Sequence, residues 1–324
     1  MRRLTLSIIF LAVLFSCGKS TDEQTADTIL SANIAMSNGN CQSAVDMLEG
    51  LGRQYKNAYY LKALSAAYSC LAGFNTTIFF ASDMANTASP SPLGGMSTYS
   101  TSLTTFQSPL ENDPKFIHMQ AAIDLLLYAG GIASTTEPFY TERAKYFSSG
   151  VAADINSQLL FLMLAQFGRY MKVYTNTSAA GVKGGGTASN VCFTSYSNIS
   201  TPLVLAGLAA QAGACKVTNS SHAETSSLIA SATRRRRLCH GVVLLNGILN
   251  VLPGVVAGAS GGSLAAISGM TAAITLAQSA MTTADPSIGV VATTLNQTTC
   301  EDASSVPIDK LESYFALMME GIIN

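Results

Sequence analysis

Apolar positions recur at helical spacing along much of this chain. In residues 41–52, "CQSAVDMLEGLG", Ala44, Val45 and Leu48 fall on one helical face. A turn at Asn38-Gly39-Asn40 precedes that stretch and Gly50 and Gly52 lie near its end. Ile29, Ile34 and Met36 lead into the turn from an earlier helix. In "NAYYLKALSAAYSCLAGF" the apolar face is Tyr60, Leu61, Leu64, Ala67, Tyr68 and Leu71. Residues 155–174, "INSQLLFLMLAQFGRYMKVY", form the most apolar early segment, and the pattern predicts a helix central to the core. Residues 203–212, 238–252 and 264–281 predict buried helices, because no charge lies between Lys183 and Lys216 or between Arg237 and Asp285. Ile308, Leu311, Phe315 and Met318 make a last stripe, starting near Pro307, a residue suited to a helix's first turn. Residues 86–112 are rich in Ser, Thr, Pro and Gly and predict a long loop, and the glycines 184–186 break the chain within 175–190. The expected fold is all-α, with helical hairpins over 27–175 and an apolar Gly/Ala-rich helical bundle over 190–324.

The block around Gly39-Asn40, Ala44, Val45 and Leu48, followed by Ala63, Ala66, Ala67 and Tyr68, resembles a tetratricopeptide repeat and the opening helix of the next one. Cys41 stands where that family often has an aromatic residue, and no proline closes the first repeat. A partial echo follows 78 residues on. Gln42, Ala44, Val45, Asp46 and Leu48 correspond in register to Gln120, Ala122, Ile123, Asp124 and Leu126. That offset is close to two helix-pair units, so the resemblance implies degenerate solenoid-like repeats.

The amino terminus changes the picture of location. Arg2 and Arg3 precede an apolar run over 4–16, long enough for a signal-peptide core and too short to span a bilayer. Its end, Leu14-Phe15-Ser16-Cys17, resembles the lipobox of bacterial lipoproteins, with Phe15 in place of the usual small residue. The resemblance implies cleavage of residues 1–16 and acylation of Cys17, including a palmitate-type chain on the new terminus. More than one acyl chain gives stable anchoring. Gly18 rather than Asp after the cysteine favours the outer membrane. The body is expected to face the periplasm, surface exposure being left open. Residues 17–26 are polar and are expected to form a short flexible tether.

With Cys17 lipidated, the remaining Cys41, Cys70, Cys192, Cys215, Cys239 and Cys300 are an even set in an oxidising compartment, which favours disulfides. Cys41 opens one helix and Cys70 lies near the end of its antiparallel neighbour. Both are then about 17–20 Å from the connecting turn at 1.5 Å per residue, close enough to bond. Cys192–Cys215 and Cys239–Cys300 follow from chain order alone. Removing Arg2 and Arg3 from 18 basic residues, against 19 acidic ones, leaves a net charge near −3. With 11% of residues charged, neither a nucleic-acid surface nor a polyanionic tail is indicated.

Few residues suggest chemistry. Gly258-Ala259-Ser260-Gly261-Gly262 fits G-x-S-x-G and superficially resembles the nucleophile stretch of patatin-like lipases, making a membrane-surface serine hydrolase using Ser260 the alternative reading. No Asp-Gly pair follows, and a glycine turn between helices is the simpler expectation. Cys215, His222, Cys239 and His240 match no zinc spacing, so neither metal nor cofactor is expected. His118 reads as a surface or cap residue. The four arginines 234–237 read as a solvated helix start, with an anionic partner as the other use. Gly254, Gly258 and Gly262 invite a membrane span, but basic flanks on an exported side oppose it. The expected function is a non-enzymatic, outer-membrane-tethered lipoprotein, a scaffold or accessory subunit with a protein partner in the envelope. A binder of lipid or another apolar ligand is a further alternative.

Overall fold

The structure, a computed structural model, describes residues 20–88, 91–105, 109–186, 192–197, 199, 213–216, 233–256 and 263–322. Its described residues are mostly helical, with only isolated bridges between Thr177 and Lys183 and between Tyr196 and Lys216, and the fold is all-α.

Helices α1 (Thr21–Ser37), α2 (Cys41–Glu49) and α3 (Ala58–Leu71) pack on one another through short turns. The start of α1 departs from the expected tether. Ser20 caps the Glu23 N–H while the Glu23 carboxylate accepts from Ser20, a capping box that starts the helix inside residues 17–26. Helix α4 (Thr76–Ala81) and a 3-10 segment (Asp83–Ala88) follow.

Residues 86–112 are not a long loop. They hold part of that 3-10 segment, α5 (Pro92–Met96), α6 (Ser100–Leu103) and a further 3-10 turn (Leu110–Asn112). Both α5 and α6 pack against the later central helix, and Leu93, Met96, Tyr99 and Leu110 are buried. Small residues do here what apolar periodicity does elsewhere: they let backbones touch. A Cβ on Gly94 would overlap the Gly181 carbonyl, one on Gly181 would overlap that of Gly94, and one on Gly168 would overlap that of Met96. Gly94→Ala is expected to destabilise by about 3 kcal/mol. Gly150→Ala, at a helical site with nothing within 4 Å, should instead stabilise by about 0.5–1 kcal/mol. Denaturant titration of the two variants distinguishes these opposite signs.

Helix α7 (Pro114–Leu127) starts at an Asp113 cap with Pro114 in its first turn. It lies against α3, where the Ser65 hydroxyl donates to the Ala122 carbonyl at 2.8 Å. The two echoed heptapeptides sit on α2 and α7 with the same burial. Ala44 and Ala122, Val45 and Ile123, and Leu48 and Leu126 are all buried. Each also carries the same amide–carboxylate bond, Gln42 to Asp46 at 2.8 Å and Gln120 to Asp124 at 2.9 Å. His118 lies within α7, half-buried beside the Tyr68 ring, rather than ahead of the helix.

After α8 (Tyr140–Arg143), helix α9 (Ser149–Tyr174) runs through the centre, touching α3, α5, α6 and α7 on one side and α10 (Arg234–Val256) on the other. One core cluster therefore spans the boundary expected at 175–190, from Ala32 to Met319. Both α9 and residues 234–255 are long and apolar enough to cross a membrane, with 61% of each window buried inside the fold. Within α9, Arg169 is fully buried, and its guanidinium donates to the carbonyls of Lys115 and Ala72.

Helix α11 (Ser263–Ala284) is less enclosed than expected: Ile274 and Met281 are buried, but Leu276 is 73% exposed. Short helices α12 (Gly289–Thr293) and α13 (Gln297–Glu301) lead to α14 (Ile308–Ala316), which continues as a π-helical turn over Leu317–Ile322. The stripe Leu311, Phe315 and Met318 is buried as expected, yet so are Glu312 and Glu320. Residues 203–212 lie outside the described set.

Candidate functional site

A groove of about 570 Å³ opens on the face shared by α1, α3, α4 and α9. Its walls come from Ile29 and Asn33 of α1, Tyr59, Ala63 and Ala66 of α3, and Phe80 and Phe161 of α4 and α9. The small residues at 63 and 66 deepen it by keeping side-chain bulk off its floor. Phe80 and Phe161 meet edge to face with centroids 4.7 Å apart, and Phe161 also lies against the buried Phe79 at 5.8 Å. The aromatic wall is thus held by packing rather than left free. Tyr59 is 75% exposed and Phe80 49%, and Leu30, Ile34 and Ile78 are exposed as well. A polar edge is present too. Lys62 and Asp154 form an ion pair at 3.4 Å, and Gln158 donates to the Lys62 carbonyl. An apolar surface rimmed by polar groups suits an apolar segment of another molecule better than a reaction. Of these aromatics, sequence patterning placed only Phe161 in a core segment; Tyr59 stands beside the expected α3 stripe, which begins at Tyr60, and is exposed, as is Phe80.

The six paired cysteines form three bridges: Cys41–Cys70, Cys192–Cys215 and Cys239–Cys300, with Cα separations of 5.6, 5.8 and 5.6 Å. The first locks the α2–α3 hairpin beside the groove. Because Cys192 and Cys215 are bonded, the Glu320 carboxylate that lies within 4.8 Å of their sulfurs meets a disulfide and not thiolates. His240 is half-buried against the Phe116 ring, its pKa lowered chiefly by burial.

The four arginines opening α10 are not a solvated patch. Arg237 pairs with Glu111 at 3.1 Å and lies over the Tyr174 ring, and Arg234 pairs with Glu312 at 3.1 Å. Arg235 donates to the Val306 carbonyl, and Arg236, the most exposed, pairs with Glu301 at 3.6 Å. Burial pushes the Glu111 carboxyl up, but hydrogen bonds from Tyr174 and a backbone N–H, with Arg237, outweigh it and hold the group below its ordinary value. These carboxylates offset the cost of positive charge at a helix N-terminus. Sequence reading missed them because each comes from a distant segment.

Cys17, His222 and Ser260 lie outside the described residues. The chain approaches the Ser260 motif from helix α10, ending at Val256, and leaves it into helix α11, starting at Ser263. No protein-family model matches this chain, and neither a curated protein nor a solved structure matches it significantly.

Proposed function

We propose that this chain is a non-enzymatic lipoprotein of a bacterial outer membrane, anchored through Cys17 with its body in the periplasm. It serves as a scaffold or accessory subunit, holding an apolar segment of a partner protein in the groove between α1, α3, α4 and α9. The single observation that carries this reading is that groove, with Tyr59 and Phe80 exposed on a wall fixed by packing. The tetratricopeptide-like order of helices supports it, because stacked helix pairs make concave binding surfaces. So does the capping box. Ser20 is three residues from Cys17 and Ile29 nine residues further along a helix, so the groove begins within about 25 Å of the acylated residue.

A photo-crosslinker at Tyr59 in intact envelopes tests the reading. It should capture one defined partner at least tenfold more than the same probe at exposed Ser304, and Phe80→Glu should abolish the capture. Cys17→Ser should remove labelling by a palmitate analogue and reduce the crosslink together. Equal capture at both positions would sink the groove, and an unlabelled wild-type protein would sink the anchor.

A further inference from the structure

A second cavity, about 250 Å³ and more enclosed, lies where α7, α10 and the segment leading into α13 meet. Its floor is apolar, with Leu127, Met163, Leu244 and Leu295. Its rim is polar, with Asp124, Tyr128, Asn296 and His240. An outer groove of about 530 Å³ beside Arg53 and Tyr55 shares Asp124, Tyr128 and Ser134 with this cavity, so those three residues stand at a threshold between the two.

Asp124 and Glu137 bring negative charge to this threshold. Asp124 accepts a hydrogen bond from Gln120 at 2.9 Å, and the nearby cations are committed elsewhere. Arg53 bonds Glu49 through two nitrogens, and Arg236 pairs with Glu301. Glu137 adds a second carboxylate; it accepts from the Leu295 N–H at 2.6 Å and the Thr294 hydroxyl at 3.1 Å. The Tyr128 hydroxyl lies in the field of both carboxylates, and burial first, then those charges, push its pKa up to about 12. Asn296 donates to the Tyr128 oxygen at 3.2 Å and to the Ser134 carbonyl. His240 contributes a buried Nδ1 with no hydrogen-bond partner, and burial lowers its pKa, which disfavours a competing positive charge there. The Asp124 carboxyl is exposed at the cavity mouth, where a ligand can reach it.

We infer that this cavity binds a small amphiphilic amine, its ammonium against Asp124 beside Tyr128 and its apolar body on the Leu127–Met163–Leu244 floor. An acceptor-rich acidic threshold rejects anions, and the apolar floor gives nothing to a hydrated metal ion. At about 250 Å³ the cavity is smaller than the roughly 300–1,000 Å³ of drug-sized ligand pockets, which excludes a lipid. This site is independent of the groove near α1, which no residue of α7 lines.

Calorimetric titration of the purified chain at pH 7.5 tests the assignment, with benzylamine as probe and benzyl alcohol and benzoate as its neutral and anionic counterparts. Benzylamine should bind saturably and at least tenfold more tightly than the alcohol, with benzoate weakest. Asp124→Asn should erase the preference while leaving weak binding of the alcohol, and Tyr128→Phe should reduce it severalfold. Melting curves confirm that both variants fold. Equal affinity for amine and alcohol, no saturable binding, or a preference unchanged in Asp124→Asn would each overturn the proposal. Stoichiometric displacement of benzylamine by magnesium or calcium would assign the threshold to a metal ion instead.

Discussion

Full reduction of the three disulfides is expected to remove most of the folding stability of this protein. Cys239–Cys300 links α10 to α13 across 61 residues, and Cys41–Cys70 and Cys192–Cys215 close segments of 29 and 23 residues. Chain-entropy arguments give about 4 kcal/mol for the longest loop and about 3.5 kcal/mol for each shorter one. Stabilities of single domains are about 5–15 kcal/mol, so the bridges together rival the whole. Order matters as well as sum. Cys41 and Cys70 are partly exposed, whereas Cys192, Cys215, Cys239 and Cys300 are 0–1% exposed. Graded reductant followed by maleimide labelling should open the α2–α3 bridge first, before any unfolding of α10. The paired Cys239→Ala, Cys300→Ala variant should lose about 4 kcal/mol in denaturant titration. A reduced protein with an unchanged midpoint would show that packing alone suffices.

How far the sequence carried the fold depends on the range of the interactions concerned. The α2–α3 hairpin and its bridge were legible because turn, stripe and cysteine spacing all lie within thirty residues. The all-α class and the burial of residues 155–174 followed from periodicity, which reports local geometry directly, and that of 238–252 from a long run without charge. Residues 86–112 were misread because glycine, serine and threonine signal both loops and close backbone contact; only the partner backbone at Gly181 decides between them. The Ser20-to-Glu23 capping box was legible in four residues, but the surrounding polarity suggested a tether. The candidate groove was half legible. The stripes of α3 and α9 were visible, but α4 was not, and which residues stay uncovered depends on how these helices cross. Arg234 and Arg237 were misplaced for the same reason, since Glu111 and Glu312 lie more than seventy residues away in either direction.

Glu320→Ala should be among the most damaging single substitutions in the molecule, at about 3–5 kcal/mol. The carboxylate is fully buried where the π-helical end of α14 turns it inward. It accepts from the N–H groups of Phe193 at 2.9 Å and Thr194 at 3.1 Å, and from the Tyr196 hydroxyl at 3.0 Å. It also pairs with Lys183 at 2.8 Å, and that ammonium lies 5.1 Å from the centroid of the Phe193 ring. Truncation leaves buried donors and a mostly buried cation without their acceptor, which costs more than the net worth of the bonds. The pH dependence has a definite sign. Burial pushes the Glu320 carboxyl above its ordinary 4.5, and Lys183 with the two N–H donors offsets this only in part. The folded state therefore takes up this proton before the unfolded chain does. The stability so contributed is complete below pH 4.5 and is lost as pH rises through the raised value. Glu320→Gln should accordingly cost more at pH 4.5 than at pH 7.5, and Lys183→Met should steepen the fall of stability with pH. Urea titrations of the wild type and both variants across that range read these slopes. A pH-independent loss, or a loss below 1 kcal/mol in Glu320→Ala, would count against the arrangement. Because the Cys192–Cys215 bridge holds the same strand of backbone that Glu320 caps, removing both should cost less than the sum of the two, a coupling a double-mutant cycle measures directly.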